Sequence, residues 1–266
     1  MNRMGKRISE VMGRGEKFII CLLPLGDPNL KTSIDLVGIF LEAGVDIVEL
    51  GMPSKDPYLD SKEIAASNVR SFAAEPDLAK YFDTMKEIRK QYPGEPFDVM
   101  AYTDTVKDYG PARFVEGLKA ADMDVHLLAD AVVQPADFVA EMDDLMQKAG
   151  VGRIRFMPHP FRDDLLPDIG ANAAGFMILQ AFADPQGNRP SVSDKNRELI
   201  AKIRDTQTKA PIALAYGINT GERAKEAVQV GPDGILVGTA MVNGIHAGDF
   251  KQLQALIRSL KDATLP

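Results

Sequence analysis

Short apolar runs alternate with longer stretches in which apolar positions recur every three or four residues, and this alternation persists along nearly the whole chain. The short runs, at 18–23, 47–50, 98–101, 125–129, 153–156, 175–179, 212–215 and 234–237, read as buried strands. The longer segments, at 32–43, 79–91, 112–120, 137–148, 194–206, 222–230 and 249–260, carry the helical period. Strand and helix alternating in this way over about 250 residues is the arithmetic of a (β/α)8 barrel, the TIM-barrel class of α/β fold. A doubly wound open sheet is the competing architecture, but no G-x-G-x-x-G follows the first strand. We therefore expect one barrel domain over 1–266, with a helix at 3–14 capping its bottom.

Composition narrows the class. The chain has 266 residues, 45% of them hydrophobic and 26% charged, which is ordinary for a globular domain. A formal net charge of −7 argues against nucleic acid or an anionic membrane as a partner. There is no apolar stretch near the length of a membrane helix and no secretory signal pattern at 1–17. The single cysteine, Cys21, lies in the first apolar run and excludes an internal disulfide. Its burial suits a reduced compartment, and a cytoplasmic location is expected. The three histidines, His126, His159 and His246, show no metal-ligand spacing. We read both Cys21 and His126 as packing residues.

Barrel geometry makes the loops after the strands the place to look for chemistry. The second strand carries Glu49 inside its apolar run, and the Gly/Pro-rich loop that follows supplies Asp60 eleven residues on. A carboxylate in a buried strand is costly unless paired, hydrogen-bonded or protonated, so Glu49 is either an acid–base group or an acid at a strand end facing water. After the seventh strand comes Tyr216-Gly217-Ile218, and the eighth ends in Gly238-Thr239. These glycines either serve tight turns or expose amide N–H groups to a phosphate, helped by a helical turn starting at Thr239. The loops after the second and sixth strands are long enough to act as lids.

These segments together resemble the tryptophan synthase α subunit family. The resemblance rests on Leu25-Gly-Asp-Pro28, Glu49-Leu-Gly-Met-Pro53, Asp56-Pro57, Asp60, Arg70-Ser-Phe-Ala73, Leu127-Leu-Ala-Asp130, Tyr216-Gly-Ile218 and Gly238-Thr-Ala-Met-Val242, and it runs from about residue 3 to the C-terminus. It implies a lyase that cleaves indole-3-glycerol phosphate to indole and glyceraldehyde 3-phosphate by a retro-aldol step, with no metal, Schiff base or other cofactor. Glu49 would be the general acid–base, and Asp60 would hold the indole N–H. Leu22, Met100, Tyr102, Leu127, Ala129 and Phe176 match positions that line the ring pocket, although barrel-core packing is the alternative for such residues. Gly187, Gly217, Gly238 and Thr239 match the phosphate site. A PLP-dependent tryptophan synthase β subunit becomes a possible partner. The lack of tryptophan in the chain suits such a pathway, weakly.

The chain also departs from the family pattern. Ser54-Lys55 and Ser61-Lys62 replace Phe-Ser and Gly-Pro around the second acid, and Leu22 stands where an aromatic packs on the indole. In the third loop Asp104 and Lys107 replace β-docking residues, and the sixth-strand lid retains only Gly187 of its motif. Lys55, Lys62, Asp104, Asp184 and Arg189 are either solvated loop residues or signs of a retuned pocket. Two alternatives to the lyase follow: a paralogue acting on another phosphorylated substrate, and a silent regulatory partner of a β-like enzyme. Retention of both acids argues against the second.

Overall fold

The computed structural model describes residues 2–182 and 194–266. Among these residues, parallel strands β1 (Phe18–Pro24), β2 (Ile47–Gly51), β3 (Phe97–Ala101), β4 (Val125–Leu128), β5 (Gly152–Arg153), β6 (Arg155–Met157), β7 (Met177–Gln180), β8 (Ile212–Ala215) and β9 (Gly234–Val237) form one sheet. Its order, β5-β4-β3-β2-β1-β9-β8-β7-β6, begins and ends on two pieces of the same stave, divided at Ile154. Because β5 pairs with β4 and β6 with β7, eight staves run round a TIM barrel. The expected fifth strand is thus present but interrupted.

Strand parity explains the two cores. Alternate residues such as Ile20, Leu22, Ile47, Met100, Val125, Leu127, Ile154 and Ile178 point inward and pack on one another. Their neighbours, among them Ile19, Cys21, Val48, Leu50, Val99 and Leu179, point outward against the helices. Both faces are covered, so the strands read as nearly continuous apolar runs. At the bottom the Phe18 ring fills the barrel beside Gly234, where a Cβ would lie 2.3 Å from the ring. Helix α1 (Arg3–Gly13) closes that end with Met4, Ile8 and Val11, the expected capping helix.

One device recurs along the bottom rim. Asp46, Asp124 and Asp233 each precede a strand, and each accepts a hydrogen bond from the first amides of the stave before it. The donors are Ile19 N–H at 2.9 Å, Phe97 N–H at 3.0 Å and Ile212 N–H at 2.9 Å. Each acid also meets a cation: Lys261 for Asp46, Arg3 and Arg89 for Asp124, and Arg204 for Asp233. A buried carboxylate with amide donors and a paired cation fixes register without remaining reactive.

The helices α2 (Leu30–Glu42), α4 (Leu78–Gln91), α6 (Pro111–Ala120), α7 (Ala136–Ala149), α9 (Asp194–Asp205), α10 (Gly221–Gln229) and α12 (Phe250–Asp262) lie where the period places them. Four more, α3 (Lys62–Ala74), α5 (Thr103–Tyr109), α8 (Leu166–Asn172) and α11 (Thr239–Ala247), are additional to the helical segments read from the period, although a turn was expected at Thr239. Among the described residues no helix is long and apolar enough to cross a membrane.

Candidate active site

The C-terminal ends of the strands enclose a cavity of about 310 Å³. Leu22, Ile64, Met100, Leu127, Ala129, Phe156 and Ile178 give it an apolar wall, with Glu49, Asp60 and Tyr102 on one side and Gly217, Gly238 and Thr239 also at its lining. Glu49 reaches it because its parity on β2 is inward, alongside Leu22 on β1. Gly51, two residues on, leaves room for Leu22, since a Cβ there would sit 2.9 Å from Leu22 Cδ1.

Asp60 is held from two directions. Ser61 caps α3 by accepting from Ile64 N–H, which fixes Asp60 immediately before the helix, and Thr239 Oγ1 donates to Ser61 Oγ at 3.1 Å. Tyr102 O–H donates to Asp60 Oδ2 at 2.7 Å. Burial pushes the Asp60 carboxyl up to about 6, opposed by the Tyr102 hydrogen bond. Glu49, only 1% exposed, is pushed up to about 7, chiefly by burial; the neighbouring Asp98 carboxyl works against this and the Asp60 charge adds to it. Tyr102 and Tyr216 are raised for the same first reason, burial, followed by the charge of Asp60.

The ends of β8 and β9 bring backbone to the cavity. Tyr216 and Gly217 both adopt positive φ, 80° and 74°, which turns the chain sharply after β8. Gly238 leads into α11, whose first amides have no carbonyl one turn earlier to bond and whose dipole is positive at that end. Among the described residues no arginine or lysine lines the cavity, so an anion bound there would be met by their amide donors.

Of the pocket residues expected from sequence, Leu22, Met100, Tyr102, Leu127 and Ala129 line the cavity, and Phe176 does not. Phe176 is inward-facing but lies one layer lower, 6.0 Å from the Phe18 ring in the barrel floor; Ile178, two residues on, takes the cavity position. Gly217, Gly238 and Thr239 all reach the cavity, while Gly187, Asp184 and Arg189 lie outside the described residues. Phe156, Tyr216 and Ile64 join the lining, and Asp98 stands behind Glu49. The inward parity of Asp98, two residues before Met100, was the available signal.

Of the departures from the family pattern, Leu22 and Ser61 line the cavity, while Ser54, Lys55 and Asp104 satisfy one another outside it. Ser54 Oγ and the Lys55 amide both donate to the Asp104 carboxylate, at 2.9 and 2.8 Å, and Lys55 Nζ pairs with Asp108. Lys107 lies over the Phe138 ring. Lys55, Lys62 and Asp104 do not line the cavity. Cys21 faces the helices, its thiol raised by burial. His126 Nδ1 meets the Val99 carbonyl at 2.7 Å, and burial lowers its pKa to about 4. Among the described residues no group of His, Cys, Asp or Glu is placed to hold a metal ion.

Fold and site together define a TIM barrel with buried acids at its mouth. The tryptophan synthase alpha chain family model matches residues 8–264, and this chain belongs to that family. It is 31% identical over 261 residues to the tryptophan synthase alpha chain of Methanosarcina barkeri, covering 97% of this chain and 96% of that one. The fold is shared with a protein of Aquifex aeolicus VF5 (TM-score 0.89, 21% identity, all of both chains). It is shared too with tryptophan synthase of M. tuberculosis (TM-score 0.85, 21% identity, 99% of this chain and 100% of that one). A third is the tryptophan synthase subunit alpha of Legionella pneumophila (TM-score 0.83, 23% identity, 99% of this chain and 98% of that one).

Proposed function

We propose that this chain is a lyase that splits indole-3-glycerol phosphate into indole and glyceraldehyde 3-phosphate. The observation that carries the reading is one apolar cavity with two raised carboxyls, Glu49 and Asp60, and the amides at Gly217, Gly238 and Thr239 at its lining. Its volume and apolar wall suit a flat ring. Neutral Glu49 delivers its proton to the ring carbon bearing the glycerol chain. The bond from that carbon to the chain breaks, the adjacent hydroxyl becomes the aldehyde, and the hydroxyl proton returns to Glu49, so the proton count is restored. Asp60 as carboxylate accepts the ring N–H and stabilises the positive charge that develops on the ring. The phosphate dianion sits on the amides at the ends of β8 and β9.

The apolar cavity favours indole-3-glycerol phosphate over a different phosphorylated substrate, because Lys55 and Asp104, two of the charges that depart from the family pattern, are engaged outside it. Indole release from indole-3-glycerol phosphate is the test. Glu49→Gln should lower kcat by about 10³-fold with little change in KM, the size general acid–base groups supply. No turnover by the unaltered protein, or full turnover by Glu49→Gln, would contradict the reading.

A PLP-dependent β chain is the proposed partner. Tyr58 and Val133 are exposed in the connections that follow β2 and β4 at the same rim, and Tyr58 O–H donates to Asp130 Oδ2. Co-elution with a β chain on size exclusion checks this, and separate elution would leave a stand-alone enzyme.

A further inference from the structure

Beneath Glu49 lies a second carboxyl that the proposed reaction does not use. Asp98 faces Glu49 directly in the β2–β3 register and Val125 in the β3–β4 register, so its side chain points into the barrel interior. It is fully buried. Neither of its oxygens has a hydrogen-bond partner among the described residues. Glu49 Oε1 is buried and equally unpartnered. The two carboxyls stand on facing residues of β2 and β3, on the same side of the sheet. A buried ionised carboxylate with no donor and no cation is among the most expensive groups a core can hold, and two side by side are worse. A proton on one of them removes a charge and supplies the missing donor at once.

We propose that Asp98 is the positioning residue of Glu49: a neutral carboxylic acid that donates its proton to Glu49 Oε1 and leaves the other Glu49 oxygen to face the cavity. The proposal rests on Glu49 being the acid–base group. The hydrogen bond steadies the Glu49 carboxylate at the moment its proton has gone to the ring, and it holds the carboxyl plane in one orientation. Burial, then the Glu49 charge, raises Asp98 well above the usual carboxylate range, which agrees with its keeping the proton.

Other ionisable groups in the neighbourhood are engaged elsewhere. On β4, His126 points outward to the Val99 carbonyl and the Phe114 ring. Below β3 and β4, Asp124 is held by Arg3 and Arg89. Asp60 acts on Glu49 from the cavity side, where Tyr102 binds it. On β1, Cys21 faces the helices. Glu49 is the titratable group that Asp98 meets.

Infrared spectra recorded at pH 9 and compared between the unaltered protein and its variants test this without turnover. The carbonyl stretch of one buried carboxylic acid should persist at pH 9 in the unaltered protein and in Glu49→Gln, and vanish in Asp98→Asn. The kinetic counterpart is the alkaline limb of kcat/KM. Asp98→Asn, which still offers a donor, should keep kcat/KM within about 3-fold and the limb within about half a pH unit. Asp98→Leu should move the limb upward by about one pH unit and lower kcat about 10-fold, with KM changed less than about 3-fold. No carboxylic acid band at pH 9, or a limb that moves downward in Asp98→Leu, would overturn the proposal, since both mean an ionised Asp98. If the spectra behave as stated while indole release is absent, the lyase reading fails and the carboxyl pair stands.

Discussion

Two sets of acids in this barrel share burial and differ in company. At the bottom, Asp46, Asp124 and Asp233 each accept from a strand amide and each face a lysine or arginine. Toward the top, Glu49, Asp60 and Asp98 have no cationic partner among the described residues, and burial drives all three toward the protonated form. The bottom set has the donors a carboxylate needs and does structural work. The top set is under-supplied, and that shortage makes a carboxyl able to give and take a proton near neutral pH. Burial alone does not separate the two sets; the partners do.

Removing an acid from each set should therefore have opposite consequences for stability. Asp124→Ala strands the buried Arg89 guanidinium and frees the Phe97 amide. It should cost about 3 kcal/mol or more, lowering Tm by roughly 6–12 °C in a chain of this size, as read by thermal unfolding. A Tm within about 2 °C of the unaltered protein would remove the distinction.

Glu49→Gln should do the reverse, with a smaller and pH-dependent effect. The folded-state pKa of Glu49, about 7, lies above its ordinary 4.5, so the native protein binds more protons than the unfolded chain between these values. Stability then falls as pH rises through that window and stays lost above it. Glutamine does not titrate. The variant should gain on the order of 2 kcal/mol over the unaltered protein between pH 4 and pH 8, seen as a Tm advantage of about 4–8 °C that appears only at the higher pH. An advantage independent of pH would mean that the gain does not come from the carboxylate charge.

Much of this was legible in the residues, for a physical reason. Inward and outward parity over short apolar runs locates strands well, and 212–215 and 234–237 match β8 and β9 residue for residue. Parity does not report depth, however, which is why Phe176 was expected at the cavity and lies in the floor. Helix α3 escaped the periodic reading because it buries Ser67, Asn68 and Ser71 beside Ile64, a packed face with little apolar signal. Asp98 escaped although the strand read at 98–101 includes it, because its place beside Glu49 is a pairing between two strands about fifty residues apart. Glu49 and Asp60 were found because their spacing and motif stand out. That Asp104 serves Ser54 and Lys55 is a contact between two loops fifty residues apart, which no local pattern carries.

The central claim is that one cavity joins Glu49 and Asp60 to a cradle of amides. It is tested most directly by a crystal structure with a non-cleavable indolyl-alkyl phosphate bound. The account predicts the phosphate within hydrogen-bond distance of the Gly217 and Thr239 amides, with the ring N–H on Asp60 and the ring carbon beside Glu49. A phosphate bound away from those amides, or a ring seated outside the pocket between Leu22 and Leu127, would contradict it.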